Sequence, residues 1–185
     1  YTPMKRIAWL NTSLGSIPGA LPPIGGWTAA TGSIDSGAWI LFAILYLWQH
    51  PHFFAIAWMC KDDYEKAGFK MLPVIEPDGA RTMRQIFWHL SLMFPVCFLP
   101  FISGMLGDIH LFGAAIITLG YFYSAVPMLR EKSLKNASII LKASVFYLPL
   151  LLVIIIIQSQ FLRRSSSFSK RFELKSQRSS GYHLR

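Results

Sequence analysis

Residues 48–74 read WQHPHFFAIAWMCKDDYEKAGFKMLPV. The stretch 48–60 has no charged side chain, and then KDDYEK at 61–66 is charged at every position but Tyr64. An apolar helix that ends in such a burst reads as the edge of a membrane span. A proline between two histidines, His50 and His52, is more than a purely structural span requires.

The rest of the chain bears out this reading of the stretch. Runs without Asp, Glu, Lys or Arg cover 7–34, 36–60, 85–107, 109–129 and 143–162. Each supplies the ~20 residues a helix needs to cross the hydrocarbon core. Charged residues make up 15% of the 185-residue chain, where a soluble domain carries about 25%. The expected fold is all-α, a polytopic transmembrane helical bundle. It has five spans at about 7–31, 37–60, 85–107, 109–129 and 143–162, within a membrane domain 1–160. Cys60 and Cys97 give neither a disulfide framework nor a metal-type spacing, and both read as buried thiols. No signal peptide is expected ahead of the first span, and the chain starting at Tyr1 reads as the C-terminal part of something longer.

Charge alternates between the loops. Lys5 and Arg6 precede the first span, the loop near 32–37 has no basic residue, and 61–84 holds Lys61, Lys66, Lys70, Arg81 and Arg84. The turn at Gly107 and Asp108 again has none, while 130–142 holds Arg130, Lys132, Lys135 and Lys142. The positive-inside rule puts the basic loops, KDDYEK among them, on the cytoplasmic or matrix side. Seven of the 18 basic residues fall at 161–185, a Ser-rich segment expected to be a disordered tail. Because the excess of positive charge is confined there, nucleic-acid binding is not expected despite a pI near 9.8.

The first span, IAWLNTSLGSIPGALPPIGGWTAAT, is rich in glycine and proline. Gly15, Gly19, Gly25 and Gly26 allow close backbone approach. Pro18, Pro22 and Pro23 free carbonyls, which a membrane helix tolerates where protein or a cavity re-satisfies them. The span therefore reads as a tightly packed kinked helix, or as one lining a cavity. By contrast, LLLVIIII at 150–157 reads as lipid-facing.

Three groups carry candidate chemistry. Asp62 and Asp63 form a carboxylate pair at a span end; such a pair can hold a hard divalent cation, with Lys61 and Lys66 neutralising phosphate charge. Charge content alone fits a solvated loop equally well. His50 and His52 are intramembrane ionisable residues, and hence functional candidates by default; a histidine satisfied by the carbonyl that Pro51 frees is the plainer reading, and Pro51 is expected to kink the helix. Lys5 and Arg6 read either as a topogenic anchor or, with Asn11, as a diphosphate clamp at the same membrane face. His89 and His110 are expected at the interface, and most tryptophans in interfacial belts.

Taken in order, YTPMKR, NTSLGSIPGALPPIGGWTAATG, LWQHPHFFAIAW and KDDYEKAGFKMLPV resemble the protohaem IX farnesyltransferases (haem O synthases) of the UbiA superfamily of intramembrane prenyltransferases. The resemblance runs from Tyr1 to about Ile157. It implies a nine-helix fold around a cavity, of which this chain matches the last five helices. It also implies that KDDY is the second of two aspartate-rich loops, with Asp62 and Asp63 as magnesium-diphosphate ligands and Tyr64 in the same motif. Lys5 and Arg6 match a basic pair near the diphosphate, and WQHPH points to haem as acceptor, with His52 the better of the two histidines. Four residues after Asp62 stands Lys66, so the DxxxD spacing of other branches is missing.

The implied activity transfers the farnesyl group of farnesyl diphosphate to a vinyl group of haem b, giving haem O and diphosphate. Mg2+ bridges the diphosphate and haem b is substrate, not cofactor. Implied partners are both substrates, the lipid bilayer, and haem A synthase or oxidase assembly factors. The implied location is a bacterial inner membrane, or alternatively the mitochondrial one. Without a first aspartate-rich loop, this chain alone is expected to be inactive. The alternatives are a related transferase with a quinone or other acceptor, and a non-enzymatic membrane assembly protein.

Overall fold

The fold is that of a computed structural model describing the backbone of residues 11–181 and the side chains of 12–161. In order the helices are α1 (Asn11–Ala20), α2 (Pro22–Thr31), α3 (Ser36–Met59), α4 (Lys61–Lys66), α5 (Leu72–Ile75), α6 (Ala80–Ile102), α7 (Asp108–Arg130) and α8 (Leu134–Gly181). No strand occurs among the described residues. Helices α3, α6, α7 and the Leu134–Phe161 part of α8 are long and apolar enough to cross a membrane. The chain is a multi-pass integral membrane protein.

Those four helices pack as a ring in which α3 touches α6, α6 touches α7, α7 touches α8, and α8 returns to α3. Leu90, Met93, Tyr121, Met128, Ile140 and Leu151 fill its centre. A polar seam crosses that core, where Thr118 shares a hydrogen bond with Tyr147 Oη at 3.1 Å and donates to Cys97 Sγ at 3.5 Å. In lipid, where the hydrophobic effect does not drive helices together, close packing and such bonds hold the ring.

The first expected span is not one helix. It breaks at Leu21 into α1 and α2, each of 10 residues, which lie against α3 outside the ring. Pro22 and Pro23 cause the break: neither has an N–H to continue the α1 ladder, and both suit the first turn of a new helix. Only part of the glycine stripe makes a close approach. A Cβ on Gly19 would meet the Gln49 side chain, whereas nothing lies within 4 Å of one on Gly25 or Gly26.

Other boundaries also move. α6 starts at Ala80, five residues before the expected span, because Arg81 and Arg84 belong to its first turns. Gly79 precedes it at φ 69, and a Cβ there would strike the Trp58 ring, so glycine serves both the turn and the contact. α3 opens on Asp35, which accepts from the Gly37 backbone N–H at 2.9 Å, and runs as one helix through Pro51. The α8 backbone continues as helix to Gly181, through the segment where a disordered tail was expected; no glycine or proline stands between Pro149 and Gly181 to stop it. At 150–157 one residue, Leu151, is buried, while Leu150, Leu152, Val153, Ile156 and Ile157 face outward.

Alternation of the helices puts the starts of α6 and α8, the ends of α3 and α7, and α4 and α5 at one end of the ring. A direct contact joins two of these loops: Lys132 Nζ donates to the Asp78 backbone oxygen at 2.6 Å. We call this the inner end.

Candidate active site

The inner half of α3 carries three polar side chains, which between them engage α1, α6 and α8. Gln49 Nε2 donates to Leu45 O at 3.1 Å and, across to α1, to Ser16 O at 3.4 Å. His50 is fully buried. Its Nδ1 donates to Tyr46 O at 2.8 Å, which leaves Nε2 to accept from Ser13 Oγ of α1 at 3.3 Å. The ring stacks on His89 of α6, with centroids 3.7 Å apart and planes 9° from parallel. His52 faces α8: Ser144 Oγ donates to Leu141 O at 2.6 Å, so it accepts the His52 Nδ1–H at 2.7 Å. His52 Nε2 is thus an acceptor, without a hydrogen-bond partner among the described residues. Trp48 stacks on His52 at 5.0 Å and donates to Ser144 O at 2.8 Å.

These contacts refine the readings of single residues. His89 and His110, expected near span ends, are both buried in the helix packing, with His89 Nδ1 donating to Gln85 O at 2.7 Å and His110 Nε2 to Cys97 O at 3.0 Å. His50 bonds the carbonyl of Tyr46, not the Leu47 carbonyl that Pro51 frees. Trp48 belongs to the α3–α8 contact rather than to a belt. Of the thiols, Cys97 is buried and Cys60 partly exposed.

A cleft of about 250 Å³ lies between α1 and α3 on the Gln49 face. Thr12, Gly15 and Gly19 form one wall, while Gln49, Phe53 and Ile56 form the other. Both sets recur at helical spacing, so each presents one stripe of its helix. Tyr64 from α4 and Met71 just before α5 line its inner end. The result is a mostly apolar slot, with Thr12, Gln49 and Tyr64 as its polar side chains, whose inner end lies beside the charged KDDYEK helix.

The remaining expected site residues spread around that end. Asp62, Asp63 and Lys66 are exposed on α4 and Lys61 is partly exposed; none of the four lines the cleft, although Tyr64 does. Asp62 and Asp63 are helix neighbours about 100° apart, and neither carboxylate makes an ion pair or hydrogen bond within the described residues. No cluster of three or more His, Cys, Asp or Glu side chains suited to a metal occurs there. His52 lies beside the cleft, one strip round α3 from Phe53, whose ring it meets at 5.4 Å. Lys5 and Arg6 fall outside the described residues, as does the side chain of Asn11, the first residue of α1.

Comparison with known proteins decides the family, because a model described as "UbiA prenyltransferase family" matches residues 1–150. The chain belongs to the UbiA prenyltransferase family. Its relatives include the protoheme IX farnesyltransferase of Solibacter usitatus, 48% identical over 82% of this chain and 52% of that protein. That of Salinibacter ruber is 41% identical over 85% and 56%, respectively. The mitochondrial one of Arabidopsis thaliana is 35% identical over 80% and 35%. The chain thus spans about half the length of the bacterial relatives. A solved structure from work on a digeranylgeranylglyceryl phosphate synthase in membranes matches 66% of this chain and 43% of its own at a TM-score of 0.61. At 20% identity this shows a shared fold alone.

Sequence reasoning missed Gln49 and Met71 as lining residues and His89 as a partner of His50, whereas Thr12, Gly15 and Gly19 belong to the span read as packing tightly or lining a cavity. A signal for His89 was present. His50 stands nine residues before the end of α3 and His89 nine after the start of α6, so antiparallel helices bring them to one depth. Gln49 carried a similar signal, as an amide in step with Phe53 and Ile56.

Proposed function

We propose that the protein transfers the farnesyl group of farnesyl diphosphate to a vinyl group of protohaem IX, giving haem O and diphosphate. The relatives' shared name supports this reading, as does the pairing of WQHPHF with KDDYEK. The observation that carries it is a mostly apolar cleft with Tyr64 of KDDY at its inner end, beside the exposed carboxylates of Asp62 and Asp63. Two water-insoluble substrates and a highly charged leaving group need such a junction of apolar slot and ionic rim.

Asp62 and Asp63 fit a Mg2+ that also binds diphosphate. Both offer hard oxygen ligands without competing partners among the described residues, and Mg2+ commonly takes one or two carboxylates and completes its shell with phosphate and water. When bound, the ion neutralises charge on the departing diphosphate. Lys61 and Lys66, with Lys5, Arg6 and Asn11 on the sequence reading, supply further positive charge and hydrogen bonds.

Departure of diphosphate breaks the C1–O bond and leaves an allylic cation. The vinyl π-pair of haem attacks C1, which moves the cation to the haem side chain. Water adds there and gives up one proton, leaving the hydroxyethylfarnesyl group. His52 is the better base for that proton, because its Nε2 is an acceptor without a partner among the described residues. His50 is the weaker one, since both its nitrogens are engaged and its ring is covered by His89. Apolar walls keep water from the cation until the new bond has formed.

The test is haem extraction from cells that lack their own haem O synthase and express the full-length protein. Haem O accumulates with the native sequence. With Asp63→Asn it falls by about 100-fold or more, the scale set by losing one transition-state charge stabiliser, while the protein remains inserted. Undiminished haem O in that variant overturns the role of the aspartate. Prenylated quinone in place of haem O overturns the acceptor.

A further inference from the structure

A second, apolar pocket lies next along α3, past the outer end of the cleft. This outer pocket, of about 270 Å³, is lined by Pro22, Pro23, Leu41, Ile44 and Leu45 on one side and by Leu148, Leu151, Leu152 and Ile155 of α8 on the other. Gln49 is the deepest α3 residue of the first space, and Leu45, one turn farther along the same strip, belongs to the second. On the opposite wall the first space ends at Gly19, and α1 itself ends at Ala20, just before Pro22 and Pro23.

The Gln49 side chain fills the step between them. It is 4% exposed, and its Oε1 sits against Gly19 so closely that a Cβ there could not be accommodated. Its Nε2 is tied to Leu45 O and Ser16 O, which fixes the amide across the gap. A residue placed only to satisfy itself would not need a glycine opposite. The α3 wall of the cleft runs from Ile56 to Gln49, seven residues or ~10 Å of helix axis, and Tyr64 and Met71 continue it toward the rim. A chain entering from that rim meets the Gln49 side chain at the far end.

We propose that Gln49, seated on Gly19, is the stop that sets the isoprenoid chain length, and that the apolar pocket behind it is where a longer chain would extend once the stop is removed. This rests on the prenyl-transfer reading above and adds the residue that selects the substrate within it. The side chain acts by bulk: it presents an amide edge where a fourth isoprene unit would have to pass. Its two hydrogen bonds keep the bulk from swinging aside.

The test uses the full-length protein in nanodiscs with farnesyl and geranylgeranyl diphosphates, measuring both equilibrium binding and transfer to haem. Gln49→Ala opens the step, and the geranylgeranyl-to-farnesyl ratio of kcat/KM rises about 10-fold or more, the worth of an added apolar contact in a fitted pocket. The binding ratio moves in the same direction. Gln49→Leu refills the space without the amide and keeps the ratio near the native one. The stop is overturned if Gln49→Ala leaves both ratios within about twofold of native, or if Gln49→Leu shifts them as far as Gln49→Ala does. Selective binding of farnesyl diphosphate without transfer to haem leaves the stop standing and sinks the proposed acceptor. Absence of binding by either diphosphate sinks both.

Discussion

The outer half of α3, residues 36–46, and its inner half, residues 47–59, are equally free of charge and pack in different ways. The outer half buries Gly37, Ala38, Ile40 and Ile44. It forms with α6 an open groove lined by Trp39, Ile40, Ala43, Leu99 and Ile102, an almost wholly apolar surface suited to lipid. The inner half buries Gln49, His50 and Pro51, and each polar group of this half is matched to particular neighbours: Gln49 to α1, His50 to α1 and α6, His52 to α8. Apolar contacts in lipid are nearly interchangeable, whereas a hydrogen bond names its partner. The inner half therefore fixes where the helices around α3 sit, and the cleft opens in that half.

The strongest challenge to this contrast is the imidazole pair. His50→Ala removes the stack on His89 and leaves a gap in a fully buried place; we expect a loss of about 2–4 kcal/mol, the range for emptying a large buried side chain. His89→Ala should cost a similar amount, and the double variant should fall short of the sum by ~1 kcal/mol, the coupling of a touching pair. Ile40→Val in the outer half should cost about 0.5–1.5 kcal/mol. Unfolding of the full-length protein in detergent can be followed by reaction of the buried Cys97 thiol in a Cys60→Ser background. Additive histidine losses would show that the two rings are merely adjacent.

The next effect concerns glycine. Gly19→Val drives two methyl groups into the Gln49 amide and should destabilise by about 1–3 kcal/mol, as overpacking does. Gly25→Val lies in the same expected span but where nothing stands within 4 Å; its effect should stay within ~0.5 kcal/mol. Equal losses would mean that the glycines serve helix bending in general and not the fit to Gln49.

That pair of glycines also shows what the sequence could convey. The charge-free runs located α3, α6, α7 and the apolar part of α8, because a bilayer admits few alternatives to a long apolar helix. They misplaced the start of α6, since Arg81 and Arg84 mark the membrane surface and not the end of hydrogen bonding. Pro22 and Pro23 announced a disturbance, and the structure makes it a break between two separate helices. At the site, KDDYEK was legible as a rim because charge beside an apolar run is a local pattern. Which glycine faces a side chain was not legible: Gly19 and Gly25 look alike until α1 is set against α3. The Gln49–Gly19 and His50–His89 contacts each join residues 30 or more positions apart on different helices.

The smallest effect lies at the inner rim, where Lys132 reaches across to the Asp78 carbonyl in the turn before α6. A charged donor at 2.6 Å is a good bond by geometry, but it is solvent-exposed, and exposed charged contacts contribute about 0–1 kcal/mol. The neighbouring Arg81–Glu76 pair at 3.0 Å, partly exposed on both sides, falls in the same class. Lys132→Met should therefore barely move global unfolding. Locally it removes a direct link from the α7–α8 loop to the turn at 76–79, and segments with few buried contacts open well below the global free energy. Amide exchange at 76–79 should accelerate several-fold while exchange in α3 stays unchanged. Equal acceleration in the inner half of α3 would mean that the rim helps to order the α3 contacts, and the contrast between the halves would then depend on the loops as much as on Gln49, His50 and His52.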